Sequence, residues 1–214
     1  SSYQMIVAHE FFDALPIHQF EAAGGQWHER LIGLGDGRPA VAVPGHPDQS
    51  SRSSGELCFT LAPIKTGPHQ LAEALGHLAA DPPPPEGAIV EVCLDAARVC
   101  QEIQRRLAAG PGGSALLIDY GDAAIAKETL RAFKDHKEVG VLDAPGTADL
   151  TSDVNFGHLA PMFQPLEMRE PITQRDFLLM MHIVERAEKL CRQVGPREAN
   201  ALKLQVHKLV NDMG

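Results

Sequence analysis

Several things are missing from this 214-residue chain, and each absence removes a class of function. No run of Lys and Arg is dense enough to neutralise successive phosphates, and 28 acidic against 19 basic residues leave a net charge of -9, so nucleic acid is not an expected partner. No apolar stretch reaches the roughly 18 residues that a membrane-spanning helix needs. The four cysteines, Cys58, Cys93, Cys100 and Cys191, form no C-x-x-C pair. Cys93 and Cys100 sit in apolar or helical contexts that suit reduced thiols, which points to a reducing compartment. Ten histidines include no H-x-x-x-H or H-E-x-x-H spacing. Only His9 and His136 stand beside acids in structured contexts, so no metal is expected. A G-x-S-x-G elbow and internal repeats are lacking too, and Ser1-Ser2-Tyr3-Gln4 reads as neither a signal nor a transit peptide.

What is present is a chain 44% hydrophobic, enough for one core or one core with a smaller appendage. Met5 to Ala8 reads as a strand buried on both faces. Ile17 to Glu21 and Trp27 to Leu34 flank Gly24-Gly25 as a hairpin. Gly35 to Gly55, rich in Gly, Pro, Ser and Asp, reads as a loop, and Leu57 to Leu61 as a strand. A helix follows over His69 to Ala80, with Leu71, Leu75 and Leu78 at helical spacing, then a stiff linker of four prolines from Pro82 to Pro85. Ala88 to Cys93 (strand), Asp95 to Ala108 (helix, with Val99, Ile103 and Leu107 on one face) and Ala115 to Ile118 (strand) suggest a right-handed βαβ unit in a parallel sheet, hence an α/β core. Thr129 to Phe133 and Leu166 to Arg169 are further candidate strands. Thr173 to Gln193 and Arg197 to Asn211 read as C-terminal helices parted by Gly195-Pro196.

Two apolar strands end in acids: "IVAHE" delivers Glu10 and "LLIDYG" delivers Asp119. Ligands in open parallel sheets bind beyond the carboxyl ends of the strands, so these two ends would converge on one crevice. Alternatively, both acids merely cap the turns that follow. "GLGDG", Gly33 to Gly37, resembles a nucleotide loop but is followed by prolines and alternating valines rather than a helix, which favours a turn between strands. In "DAPGTADLTSDVNF", Pro145-Gly146 makes a turn, and Asp149, Thr151 and Asp153 are candidate caps for a helix beginning near Val154.

Taken together, "HEFFDALPIHQF", "LLIDYG", "TLRAFKDHKEVGVLDAPGTADLTSDVNF" and "ITQRDFL" resemble the S-adenosylmethionine-dependent methyltransferase family that contains the mitochondrial complex I assembly factor MidA. The resemblance runs from Met5 to at least Leu190. It implies a class I methyltransferase fold with a Rossmann-like sheet, of which residues 1–214 would be the C-terminal portion from the fourth strand onward. Residues 21–87 would be an inserted hairpin and helical region, and 171–214 the C-terminal helices. Family members carry a glycine-rich first strand-to-helix turn upstream of the opening block. Smaller departures are Asn155, where an aspartate is usual, and His182, where a glycine is usual.

The implied activity is symmetric dimethylation of an arginine in a complex I subunit, with S-adenosylmethionine as donor and no metal. Glu10 would pair with the guanidinium through two parallel N–H bonds and hold the attacking nitrogen toward the sulfonium. Phe11, Phe12 and Asp13 would line the entrance, Asp119 and Tyr120 the opposite wall, while Asp149 and Thr151 would fix a closing loop. Ala8 and His9 would lie beside the cofactor. A protein substrate, a possible homodimer and the mitochondrial matrix, or the cytoplasm for a bacterial member, complete the expectation. The competing reading is a non-catalytic binding or scaffolding module in complex I assembly.

Overall fold

The computed structural model describes residues 3–35, 55–78, 81–125 and 127–211. Its strands and helices, in chain order, begin with β1 (Gln4–His9), β2 (His18–Ala23), β3 (Gln26–Leu34), β4 (Leu57–Leu61), α1 (Gly67–Ala74), β5 (Ile89–Val92), α2 (Leu94–Ala109) and β6 (Gly113–Ile118). They continue with β7 (Gly121–Asp122), β8 (Arg131–Lys134), β9 (Lys137–Val139), β10 (Asp149–Thr151), β11 (Val154–Asn155) and α3 (Phe156–Leu159), which runs into a 3-10 turn at Ala160–Phe163. Last come α4 (Gln174–Met180), α5 (Ile183–Cys191) and α6 (Pro196–Asn211). Two compact units divide between Met168 and Arg169.

In the first unit β1 and β6 pair in parallel, from Gln4 opposite Gly113 to His9 opposite Ile118. Parallel strands need a crossover, and α2 supplies it. Its apolar stripe falls where the spacing places it: Ala96, Cys100 and Ile103 are buried, and Val99 and Leu107 pack beside them against Ile6, Ala8, Ala115 and Leu117. The opposite face of β1 is open, with Met5 73% and Val7 56% exposed. That corrects the expectation of a strand buried on both sides; the period-2 alternation of a strand sends only Ile6 and Ala8 toward α2.

The βαβ expectation also changes. β5 does not join β6 in one sheet but pairs antiparallel with β2, as the outer strand of a four-stranded antiparallel sheet ordered β4-β3-β2-β5. The parallel partner of β6 is β1, more than 100 residues earlier, and a short apolar run carries no label for its partner. Gly24 and Gly25, both at positive φ, turn the β2–β3 hairpin where it was expected.

One face of the four-stranded sheet packs Phe20, Val90 and Val92 against Ala72 and Leu78. Helix α1 starts at its Thr66 cap and stops at Ala74, short of the expected Ala80; Ala79 and Ala80 lie outside the described residues. Its buried residues are His69 and Ala72, while Leu71 and Leu75 are exposed, because the His69 ring meets Phe20 edge-on, 5.6 Å between centroids. The sheet also buries charge. Arg30 reaches Glu21 at 3.5 Å and Glu128 at 2.7 Å and lies 4.1 Å over the Phe59 ring. Glu29 meets His18 at 2.7 Å and accepts from Thr66. Buried carboxylates of this kind persist only when paired and hydrogen-bonded.

Leu166 to Arg169 is irregular rather than a strand, and most of the Gly35 to Gly55 loop and the end of "GLGDG" fall outside the described residues. In the second unit the expected helix over Thr173 to Gln193 is two helices, broken at His182, whose backbone is left-handed with φ 56° and ψ 42°. Pro196 opens α6, and Arg175 donates to the Val210 carbonyl and the Asn211 side chain, tying α4 to α6.

Candidate active site

The carboxyl ends of β1 and β6 lie side by side, so the residues following them meet. The ladder's last bond runs from the Glu10 amide to the Ile118 carbonyl, 2.9 Å. Beyond it the chain turns, and Oδ2 of Asp119 accepts three successive backbone N–H groups, from Phe11 (3.2 Å), Phe12 (2.9 Å) and Asp13 (3.2 Å). Its Oδ1 accepts the Tyr120 amide at 3.0 Å. Consecutive amides converging on one oxygen form an anion-holding concavity, here filled by the protein's own carboxylate.

Asp119 thus caps the turn after β1, as the turn-capping alternative describes, with Oδ2 taken by three amides and Oδ1 by one. Burial pushes its carboxyl above the usual range, and Asp13 nearby pushes the same way, while the amide donors pull it back.

Glu10 itself stays outward. Its side chain is 53% exposed, with Oε1 accepting the Tyr120 hydroxyl at 3.4 Å and lying 3.9 Å from His9 Nε2. Its backbone is left-handed, φ 45°, a conformation that costs a residue with a Cβ roughly 1–2 kcal/mol. The Glu10 carboxylate raises the pKa of the Tyr120 hydroxyl, with burial adding to it, so the phenol remains a donor.

The two phenylalanines separate. Phe11 is 45% exposed, but Phe12 is 3% exposed and sits in the core with Cys100, Val154 and Phe163, its ring edge-on to Phe11 at 5.5 Å. Phe12 thus cannot present a ring face to a substrate; its apolar area anchors the loop from below. Ala8 likewise packs its methyl toward the core, while the His9 side chain is exposed.

The third block closes the knot. Thr151 Oγ1 donates to Asp13 Oδ2 at 2.9 Å, and the Ser152 amide to the Asp13 carbonyl at 3.1 Å. The Val154 amide meets the Tyr120 carbonyl at 2.7 Å, and β11 pairs in parallel with β7. Only glycine fits at position 121, because a Cβ there would run into the Val154 carbonyl. Asp149 is exposed at the start of β10, which pairs with β8. Asp149 and Thr151 are strand residues, so they cap no helix. Asn155 does, accepting the His158 amide, and α3 starts at Phe156. Asp13 Oδ1 is buried with no hydrogen-bond partner among the described residues.

The supports for this knot lie partly within the long third block, but their pairing was not legible in it. Arg131 donates to Asp153 at 2.5 Å, and Thr129 accepts the Asp153 amide at 2.9 Å. Glu91 of β5 takes the amides of Thr129 and Leu130. A cavity of about 30 Å³ lies behind it, lined by Phe12, Asp153, Asn155, His77 and His158 among others. The two histidine rings are 4.2 Å apart, and burial lowers the pKa of both, that of His158 to about 4 with His77 contributing. Among the described residues no cluster of three or more His, Cys, Asp or Glu is placed to hold a metal, and no helix is long and apolar enough to cross a membrane.

Residues 1–171 match a family model described as "Putative S-adenosyl-L-methionine-dependent methyltransferase". This chain belongs to that family. It is 38% identical over 199 residues to the rat mitochondrial protein arginine methyltransferase NDUFAF7, covering 91% of the chain and 39% of that protein. It is 37% identical over 192 residues to the human protein of the same name, covering 88% and 37%. The chain thus spans well under half the length of these curated relatives. Its fold, over 100% of its length, is like 51% of a crystal structure of a Burkholderia thailandensis protein bound to S-adenosyl-homocysteine, with TM-score 0.69 and 19% identity.

Proposed function

We propose that the protein is an S-adenosylmethionine-dependent protein arginine methyltransferase in which Glu10 binds and orients the substrate guanidinium. The observation that carries this reading is the position of Glu10: an outward carboxylate at the end of a parallel strand, on a strained backbone, where three separate segments are tied together by hydrogen bonds. Backbone strain held in place by surrounding structure is one of the ways active sites fix a side chain. The sheet is read as the C-terminal portion of a class I, Rossmann-like methyltransferase, with the antiparallel sheet from β2 to β5 as an insertion between β1 and the crossover helix.

The donor, when bound, supplies an electrophilic methyl group on a sulfonium. His9, exposed at the end of β1, is the side chain here best placed beside it, and Ala8 contributes backbone only. Glu10 accepts two N–H bonds from the guanidinium, draws positive charge toward itself and leaves the third nitrogen free to attack. In methyl transfer Glu10 would hold that nitrogen toward the donor, and the proton it loses would pass to water or to the Glu10 carboxylate. Tyr120 steadies Glu10 through its hydroxyl, and the exposed Phe11 offers a ring face to the planar cation. Asp13, in the turn after β1, and Asp149 and Thr151, on β10, border the substrate. The product is symmetric dimethylarginine, the substrate a complex I subunit, and the setting the mitochondrial matrix, where the protein acts as a homodimer; the names of the mammalian relatives support the arginine chemistry and the organelle.

Calorimetric titration with S-adenosylmethionine, together with methyl transfer by Glu10→Gln in the full-length protein, tests the reading. Saturable micromolar binding, with transfer abolished and donor affinity unchanged within about threefold, is expected. Wild-type transfer by Glu10→Gln removes the guanidinium role, and absence of donor binding moves the protein to the scaffolding class.

A further inference from the structure

Glu10 sits at a left-handed backbone position, and nothing in its own side chain calls for one. The cause lies across the strand pair. Where the ladder ends, the next group of β6 is not a carbonyl but the Asp119 carboxylate, and the chain after β1 can satisfy the amides of Phe11, Phe12 and Asp13 only by curling around that one oxygen. The curl begins at Glu10. The second Asp119 oxygen holds the amide of Tyr120, whose hydroxyl in turn meets Glu10. One carboxylate thus fixes both the backbone that aims Glu10 and the residue that contacts its side chain.

We infer that Asp119 is a positioning residue, which sets the direction of the Glu10 carboxylate through the Phe11–Asp13 amides and through Tyr120 without touching substrate itself. Its effect on activity rests on the proposed role of Glu10; its effect on the loop does not. A merely structural cap would stabilise the turn but would leave the chemical step unaffected once the protein is folded. A positioning residue couples to Glu10 in the turnover rate.

The test is a double-mutant cycle in the full-length protein with Asp119→Asn and Glu10→Asp, which keeps a carboxylate one methylene short and so leaves a measurable rate. An amide offers one acceptor oxygen, so Asp119→Asn gives up either the three-amide cluster or the Tyr120 contact. Its kcat is expected to fall about tenfold or more, with the affinity for S-adenosylmethionine within about threefold of wild type. In the Glu10→Asp background the same change is expected to cost less than about twofold. Losses that multiply, or a wild-type kcat in Asp119→Asn, overturn the inference. A second measurement needs no variant and no activity: amide hydrogen exchange of the unsubstituted protein. Phe11 is exposed, yet its N–H should exchange about tenfold or more slowly than an unprotected amide, as should those of Phe12 and Asp13. Exchange of the Phe11 amide at the unprotected rate overturns the inference even if Asp119→Asn fails to fold. If the wild-type protein transfers no methyl group to arginine, the proposed function fails and the positioning role falls with it, while the exchange result still decides whether Asp119 holds the Phe11–Asp13 amides.

Discussion

Replacing Glu10 by glycine separates a residue kept for chemistry from one kept for structure. A left-handed backbone costs a residue with a Cβ roughly 1–2 kcal/mol, and glycine avoids that cost but loses about 0.5–1 kcal/mol through its greater freedom in the unfolded chain. What the side chain gives the folded state is small: a 3.4 Å hydrogen bond from Tyr120 and a 3.9 Å approach of His9, on a side chain 53% exposed. Contacts of that kind contribute about 0–1 kcal/mol. The sum puts Glu10→Gly between a loss of about 1 kcal/mol and a gain of about 1.5 kcal/mol in stability, centred on a small gain. Activity moves the other way, falling about 100-fold or more, because the guanidinium loses its orienting partner. Urea unfolding followed by circular dichroism, beside a methyl-transfer assay, measures both. Glu10→Gln keeps the strained backbone and removes only the charge, so it should be inactive without being stabilised. If Glu10→Gly is destabilised by more than about 1 kcal/mol, Glu10 is a structural residue and the trade between stability and function assigned to it is wrong.

A second left-handed residue, His182, lies between α4 and α5 with no proposed function. His182→Gly is expected to stabilise the chain by about 0.5–1 kcal/mol and His182→Ala, which keeps the Cβ, not at all, both read by urea unfolding, since the exposed His182–Glu185 contact at 3.7 Å contributes little. His158 supplies a pH dependence. Its pKa falls from 6.5 to about 4 on folding, so the unfolded chain binds the extra proton. Its contribution to stability is present above pH 6.5 and is lost as the pH falls toward 4. His77 acts in the same direction. Stability measured from pH 7.5 to 4 should decline less steeply in His158→Gln than in wild type, and equal slopes would remove the assignment.

Local chemistry was legible in the sequence wherever neighbours along the chain decide the structure. Gly24-Gly25 turned a hairpin, the spacing of Val99, Ile103 and Leu107 fixed the face of α2, Pro196 opened α6, and two apolar runs ending in Glu10 and Asp119 delivered both acids to one end of a parallel pair. The same reading marked the four blocks that carry the family resemblance, and the family assignment over residues 1–171 covers three of them, "ITQRDFL" beginning just beyond it.

Pairing and direction belonged to the tertiary structure. β1 and β6 are partners across more than 100 residues, and β5, which looked like the start of a βαβ unit, joined β2 instead, because backbone hydrogen bonds do not depend on side-chain identity and an apolar run fits many edges. Composition could not say that Phe11 faces outward while Phe12 enters the core, since a turn rather than a strand period sets their directions. Nor could it distinguish the two acids. Each ends an apolar strand, but the amides that fold around Asp119 come from the loop after the other strand, so only the pairing of β1 with β6 makes one carboxylate a fixed internal acceptor and leaves the other pointing outward.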